Sequence, residues 1–175
     1  KHLPWRNNVL ANHELTELVK YLKFALRGDD PVLSILVTLV LVTSRTILNI
    51  LNFEVYDTKP ELDSVRSDFI ELATGAWWRR SIEMPLAYQP LPEHQSLLAA
   101  HSDWLAVPLP CELIESLTRS SIVNNARLKS LCLTDDAKDI GTRLTAFLSI
   151  HWQNNDLLHR RISLAAIRST LFDKL

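Results

Sequence analysis

The chain has 175 residues, 47% of them hydrophobic and 22% charged, with a formal net charge of -1 at neutral pH. That length supports one domain with a sizeable core, and the near-zero charge gives no general pull on nucleic acid or on an anionic membrane surface. Cys111 and Cys132 stand alone, without CxxC pairing or ligand-like histidine spacing, which excludes a disulfide framework and a zinc cluster as the organising element.

The charge is unevenly placed. Residues 1–118 carry 10 Lys+Arg against 15 Asp+Glu, while residues 119–175 carry 9 against 5. A basic back third suits a phosphate-facing surface, and it suits a solvated helix surface as well. The longest apolar run, 32–42, is about eleven residues and too short to span a bilayer. With no signal-peptide pattern before it, a cytoplasmic protein without a membrane partner is expected. The chain starts at Lys1 and a helical pattern runs to Leu175, so a single domain over 1–175, cut from something longer, is the expected organisation.

Lys1 to Val9 is a lead-in in which Trp5 is an apolar anchor. A first helix is signalled from Asn12, its N-cap, by Leu15, Leu18, Val19, Leu22 and Leu26 at three- and four-residue spacing, and Gly28 ends it. Asp30-Pro31 caps and launches a long buried helix from Pro31 to Leu51. After the charged excursion 61–68, alternation predicts strands over 68–72 and 76–82 around the turn Ala73-Thr74-Gly75, and a third over Trp104 to Leu109. A long connection holding Pro85, Pro90 and Pro92 separates the last two. Pro110 starts the next helix, and residues 119–129 continue it or form a linker. Thr134-Asp135-Asp136 caps a helix over about 137–152 whose inner face carries Ile140, Leu144, Phe147 and Leu148. Ser163 caps a final helix that turns Ala166, Ile167, Leu171 and Phe172 inward. The fold class is α+β, mainly α, with a small three-stranded antiparallel sheet.

Arg45 stands inside the most apolar stretch of the chain. A guanidinium there is costly to desolvate unless an anion meets it. An internal carboxylate is one candidate. A phosphate is the other, because the planar fork of donors matches two phosphate oxygens. A second arginine meeting the first would favour phosphate, and Arg168 is the candidate. Arg79-Arg80 beside Trp77-Trp78 offers a stacking and phosphate patch, although strand alternation sends one Trp and one Arg to each face. Arg160-Arg161 beside His159 suits DNA backbone contact or a plain solvated loop. His94 and His101, seven apart in the Pro-bounded connection, are read as surface histidines, with approach to a catalytic site as the alternative.

Taken in order, these pieces resemble the catalytic domain of the tyrosine recombinases, the phage-integrase family. LANHELTELVKYL is similar to that family's first catalytic-domain helix, and LVLVTSRTILNILNF to its first signature box, with Arg45 at the first catalytic arginine. SDFIELATGAWWRRSIEM and DWLAVPLPCELIESL are similar to its small sheet and the following helix. RISLAAIRSTLFDKL is similar to the second box, His-x-x-Arg, with Arg168 at the second catalytic arginine. The resemblance implies a DNA-binding domain, an integrase or site-specific recombinase of a mobile element, that breaks and rejoins double-stranded DNA through a tyrosine and assembles as a homo-oligomer on its site. Arg45 and Arg168 would hold the non-bridging phosphate oxygens, with Arg79, Arg80, Arg160 and Arg161 as further DNA contacts. It implies no metal and no other cofactor.

The departures bear on activity. The second-box histidine position is Ala165, the first-box glycine is replaced in Thr43-Ser44, and the acidic position three past Arg45 is Leu48. No lysine occurs between Lys59 and Lys129 to serve as general acid, and Tyr21, Tyr56 and Tyr88 lie in the wrong region for the nucleophile. The chain as it stands is expected to be inactive, lacking the nucleophile segment. The alternative expectation is a non-catalytic helical protein-interaction module that kept the fold.

Overall fold

The computed structural model describes residues 9–80, 92, 104–120, 122, 124–132, 136–153 and 162–170. Helix α1 spans Asn12–Ala25. Its first free amide, that of Ala11, donates to Glu14 Oε2 at 2.8 Å, so Ala11 rather than Asn12 holds the capping position. The helix ends before Gly28, whose amide closes a last turn onto the Ala25 carbonyl at 3.1 Å.

Helix α2, Val32–Thr43, is apolar nearly all round and buried on every side, as a central helix must be. Asp30 Oδ1 accepts from the Val32 amide at 3.4 Å. The expected continuation to Leu51 is broken. Ser44 adopts a left-handed conformation with φ 54°, and a separate short helix α3, Ile47–Leu51, starts again behind Thr46, whose hydroxyl accepts from the Asn49 amide at 3.4 Å. The break has a local cause: Thr43 Oγ1 donates to the Leu39 carbonyl and accepts from the Arg45 amide at 3.3 Å, which turns the chain out of its helical path.

The sheet has five strands, not the expected three. They are β1 (Glu54–Tyr56), β2 (Phe69–Glu71), β3 (Ala76–Arg80), β4 (Trp104–Pro108) and β5 (Ala126–Arg127), in the order β4-β3-β2-β1-β5. The three predicted strands form the antiparallel part, with Ile70 opposite Trp77 and Trp77 opposite Val107. β1 adds parallel to β2 and β5 antiparallel to β1. These two strands are three and two residues long, too short to show a period of two. Gly75, at φ 64°, makes the β2–β3 turn, a conformation open to glycine.

Helix α4 is Cys111–Arg119. β5 and a 3-10 turn over Leu128–Leu131 then occupy what was read as continuation or linker. Helix α5 covers Ala137–Gln153 and α6 Leu164–Thr170. Asp136 caps α5 by accepting from the Lys138 amide at 2.9 Å, and Ser163 caps α6 by accepting from the Ala166 amide at 3.1 Å.

One main core joins α2 to Ile70 and Trp77 of the sheet, to Leu113 and Leu117 of α4, to Ile140, Leu144 and Leu148 of α5, and to Ala166 and Ile167 of α6. A smaller cluster of Val65, Phe69 and Trp104 lies on the other sheet face. Tyr21 stacks on the buried His151 with centroids 4.2 Å apart; burial lowers the imidazole pKa, against the opposing charge of Glu17. Thr170, wholly buried, accepts from the Leu10 amide at 3.2 Å and donates to the Ala166 carbonyl at 2.7 Å, tying α6 to the segment before α1. The architecture is α+β and mainly helical. Among the described residues, no helix is long and apolar enough to cross a membrane. Trp5, Leu171, Phe172 and the connection with His94 and His101 fall outside the described residues.

Candidate functional site

The break between α2 and α3 decides where Arg45 goes. In an unbroken buried helix its side chain would be fixed by the helical screw. The left-handed turn at Ser44 instead presents it from irregular backbone at the edge of the core. Its Nη2 donates to Asp68 Oδ2 at 3.2 Å, with the side chains 34% and 15% exposed. Its guanidinium carbon lies 5.9 Å from the centre of the Trp77 ring. Asp68 is the only hydrogen-bond partner of the guanidinium among the described residues.

Arg168 meets Arg45 across a cleft of about 220 Å³. Val40, Arg45, Thr46 and Ile47 line one side, and Leu164, Ala165 and Arg168 the other. The second wall is on α6, which packs directly on α2; the first wall takes Val40 from α2, Arg45 and Thr46 from the break and Ile47 from α3. Arg168 is exposed and has no ion-pair partner among the described residues. Two cations thus border one small hollow whose remaining wall is largely Val40, Ile47 and Leu164, and apolar surroundings strengthen any charge pair formed there.

Arg45 also borders a second cleft, of about 250 Å³, with Asn49, Asn52, Phe53, Ser67 and Asp68. Asp68 lines this second cleft and not the first. Arg79 joins the site through Trp77. Its guanidinium carbon is 5.6 Å from the centre of the same ring, and its Nε and the Trp77 Nε1 are buried without a hydrogen-bond partner. Arg80 goes to the opposite strand face and is exposed, apart from this group. Beside it Trp78 stacks on Phe69, donates to Glu71 Oε2 at 2.9 Å and carries the Lys59 ammonium 4.1 Å from its ring centre. Arg160 and Arg161 lie outside the described residues.

Ala165, noted in the sequence as standing at the second-box histidine position of the resemblance, borders the cleft, with no group able to move a proton. Neither described tyrosine borders it. Tyr21 is stacked on His151, and burial raises its pKa. The Tyr56 phenol donates to Glu54 Oε2 at 2.9 Å, and its pKa is pushed up to about 12 by burial and then by the Glu54 carboxylate. Tyr88 is outside the described residues.

Asp68 was not read as a site residue from the sequence, and Trp77 was read only as part of a stacking patch with Arg79-Arg80, not as the surface under Arg45. The available signal was the demand of Arg45 for an anion, together with an acidic residue at the head of the next predicted strand. A larger polar cleft of about 480 Å³ lies elsewhere, with Asp29, Asp30 and Arg119 on its wall. There Arg119 is already occupied in capping α1, donating to the Leu26 and Arg27 carbonyls at 2.5 and 3.4 Å. Among the described residues no group of His, Cys, Asp or Glu could hold a metal ion. Comparison with family models, with curated protein sequences and with solved structures gives no match.

Proposed function

We propose that this chain is the phosphate-gripping catalytic-domain scaffold of a tyrosine recombinase-like, integrase-type protein that binds double-stranded DNA. The observation that carries the reading is that Arg45 and Arg168, distant in sequence, border the same cleft. In this reading a backbone phosphate sits between the two guanidiniums, which bind its non-bridging oxygens and offset the charge that grows during strand cleavage. Arg79, behind Trp77, adds a third positive charge close by. Arg80, Arg160 and Arg161 would touch backbone on either side, and several protomers would assemble on one site.

Strand breaking and rejoining would belong to the complete protein. Among the described residues no tyrosine and no lysine lines the cleft, and Ala165 cannot act as acid or base, so in this reading the chain by itself binds without cleaving. A protein-interaction module built on the same scaffold is the second reading, favoured by the carboxylate already in contact with Arg45.

Fluorescence anisotropy with a short labelled duplex separates the two. Arg45→Glu and Arg168→Glu are each expected to weaken binding about tenfold or more at low salt, and binding should fall steeply as salt rises. Lys20→Glu, on the exposed face of α1, should change little. Equal effects from all three reversals, or no duplex affinity at low salt, would remove the DNA reading in favour of the module.

A further inference from the structure

We propose that Asp68 is the positioning residue of this cleft: it holds Arg45 by one nitrogen from behind and leaves the rest of the guanidinium turned to the phosphate seat. The inference rests on the phosphate reading of the Arg45–Arg168 cleft. Its grounds are geometric.

Asp68 touches Arg45 through Nη2 alone, at 3.2 Å. Nη1 and Nε have no partner among the described residues and are not sealed from solvent. Asp68 lines the second cleft beside Arg45 and not the one that Arg168 borders, so it does not line the space a phosphate would fill. Its own position is rigid, because the next two residues, Phe69 and Ile70, are fully buried strand residues of β2. Trp77 supplies a surface under the guanidinium but no hydrogen bond. Without Asp68 a long side chain in irregular backbone would sample several rotamers, and ordering it would fall on the binding step. A carboxylate close behind the guanidinium also subtracts positive potential from the seat. The two effects have opposite signs, and an isosteric amide separates them, since Asn keeps an acceptor in place and drops the charge.

The test compares Asp68→Ala, Asp68→Asn and the unaltered chain by anisotropy with the same duplex. Side-chain nitrogen relaxation by NMR is read in parallel on the Arg45 Nε–H group, without DNA. Asp68→Ala should weaken duplex binding about three- to tenfold, the range expected for one unheld side chain. Asp68→Asn should bind at least as well as the unaltered chain. Arg45 should lose order in the alanine variant and keep it in the asparagine variant.

Equal or tighter binding by the alanine variant would overturn the proposal, because Asp68 would then only compete with phosphate. So would an asparagine variant as weak as the alanine one, or an Arg45 equally ordered in all three. If no form binds duplex at all, the phosphate reading fails, and the NMR comparison still decides whether Asp68 positions Arg45.

Discussion

Arg79 and Trp77 lie two residues apart on one face of β3, with the guanidinium carbon 5.6 Å from the ring centre. Arg45 approaches the same indole at 5.9 Å, and Phe53 stacks on it with centroids 5.9 Å apart. One buried side chain is therefore both core filling and the surface on which two cations rest, which couples stability to the site.

Trp77→Ala should lower stability by about 3–5 kcal/mol, the range for deleting a buried aromatic ring. Urea unfolding followed by circular dichroism measures it. Trp77→Phe keeps most of the apolar volume and a weaker cation–π surface, so it should lose much less. A loss from alanine below about 1 kcal/mol would contradict the packing described.

Ser44 sits at φ 54° where the helix breaks. A left-handed conformation is unfavourable for a residue with a Cβ and free for glycine. Ser44→Gly should therefore raise stability by about 0.5–1 kcal/mol after the greater freedom of the unfolded glycine is set against it. Ser44→Val should lower it, since a β-branched residue fits that region poorly. A valine variant as stable as the glycine one would show that the chain does not turn there.

Thr170 is wholly buried and accepts from the Leu10 amide at 3.2 Å. Thr170→Val keeps the shape and removes the acceptor, leaving that amide unsatisfied, at an expected loss of about 1–3 kcal/mol. Thr170→Ser should retain most of the stability. Because α6 also carries Arg168, the valine variant should show faster hydrogen exchange along that helix, which mass spectrometry can read.

Burial and Glu54 push the Tyr56 pKa from 10.0 to about 12. The folded state thus favours the protonated phenol. The corresponding stability is fully present below pH 10 and declines as pH rises from about 10 towards 12. Phenolate absorbance should show tyrosine ionisation above the ordinary value, and part of that late signal should be missing in Tyr56→Phe, with Tyr21, also raised by burial, supplying the rest. Ionisation of every tyrosine together at the ordinary value would exclude the Tyr56–Glu54 pair.

Periodicity made much of this fold legible before any coordinate was known. The apolar spacing of α1, the strands at 69–71, 76–80 and 104–108 and the inner face of α5 follow from it, and the starts of α2 and of the helix from Cys111 follow from Pro31 and Pro110. The break at Ser44 does not, because Thr43-Ser44-Arg45-Thr46 contains neither glycine nor proline and the hydroxyl that turns the chain is indistinguishable in sequence from one bonded within a helix. β1 and β5 escaped because strands so short have no period. Of the site, Arg45 announced itself by being charged in an apolar run, and Arg168 by family resemblance. Asp68 and the shared face of Trp77 depend on how the sheet lies against α2, and no local pattern encodes that.

β5 lies at one border of the sheet and is two residues long, with Arg127 exposed. So brief an outer strand offers too few free amides and carbonyls for a neighbouring molecule to add itself edge to edge, and an exposed cation there makes such growth less favourable. Self-association through that margin is thereby discouraged.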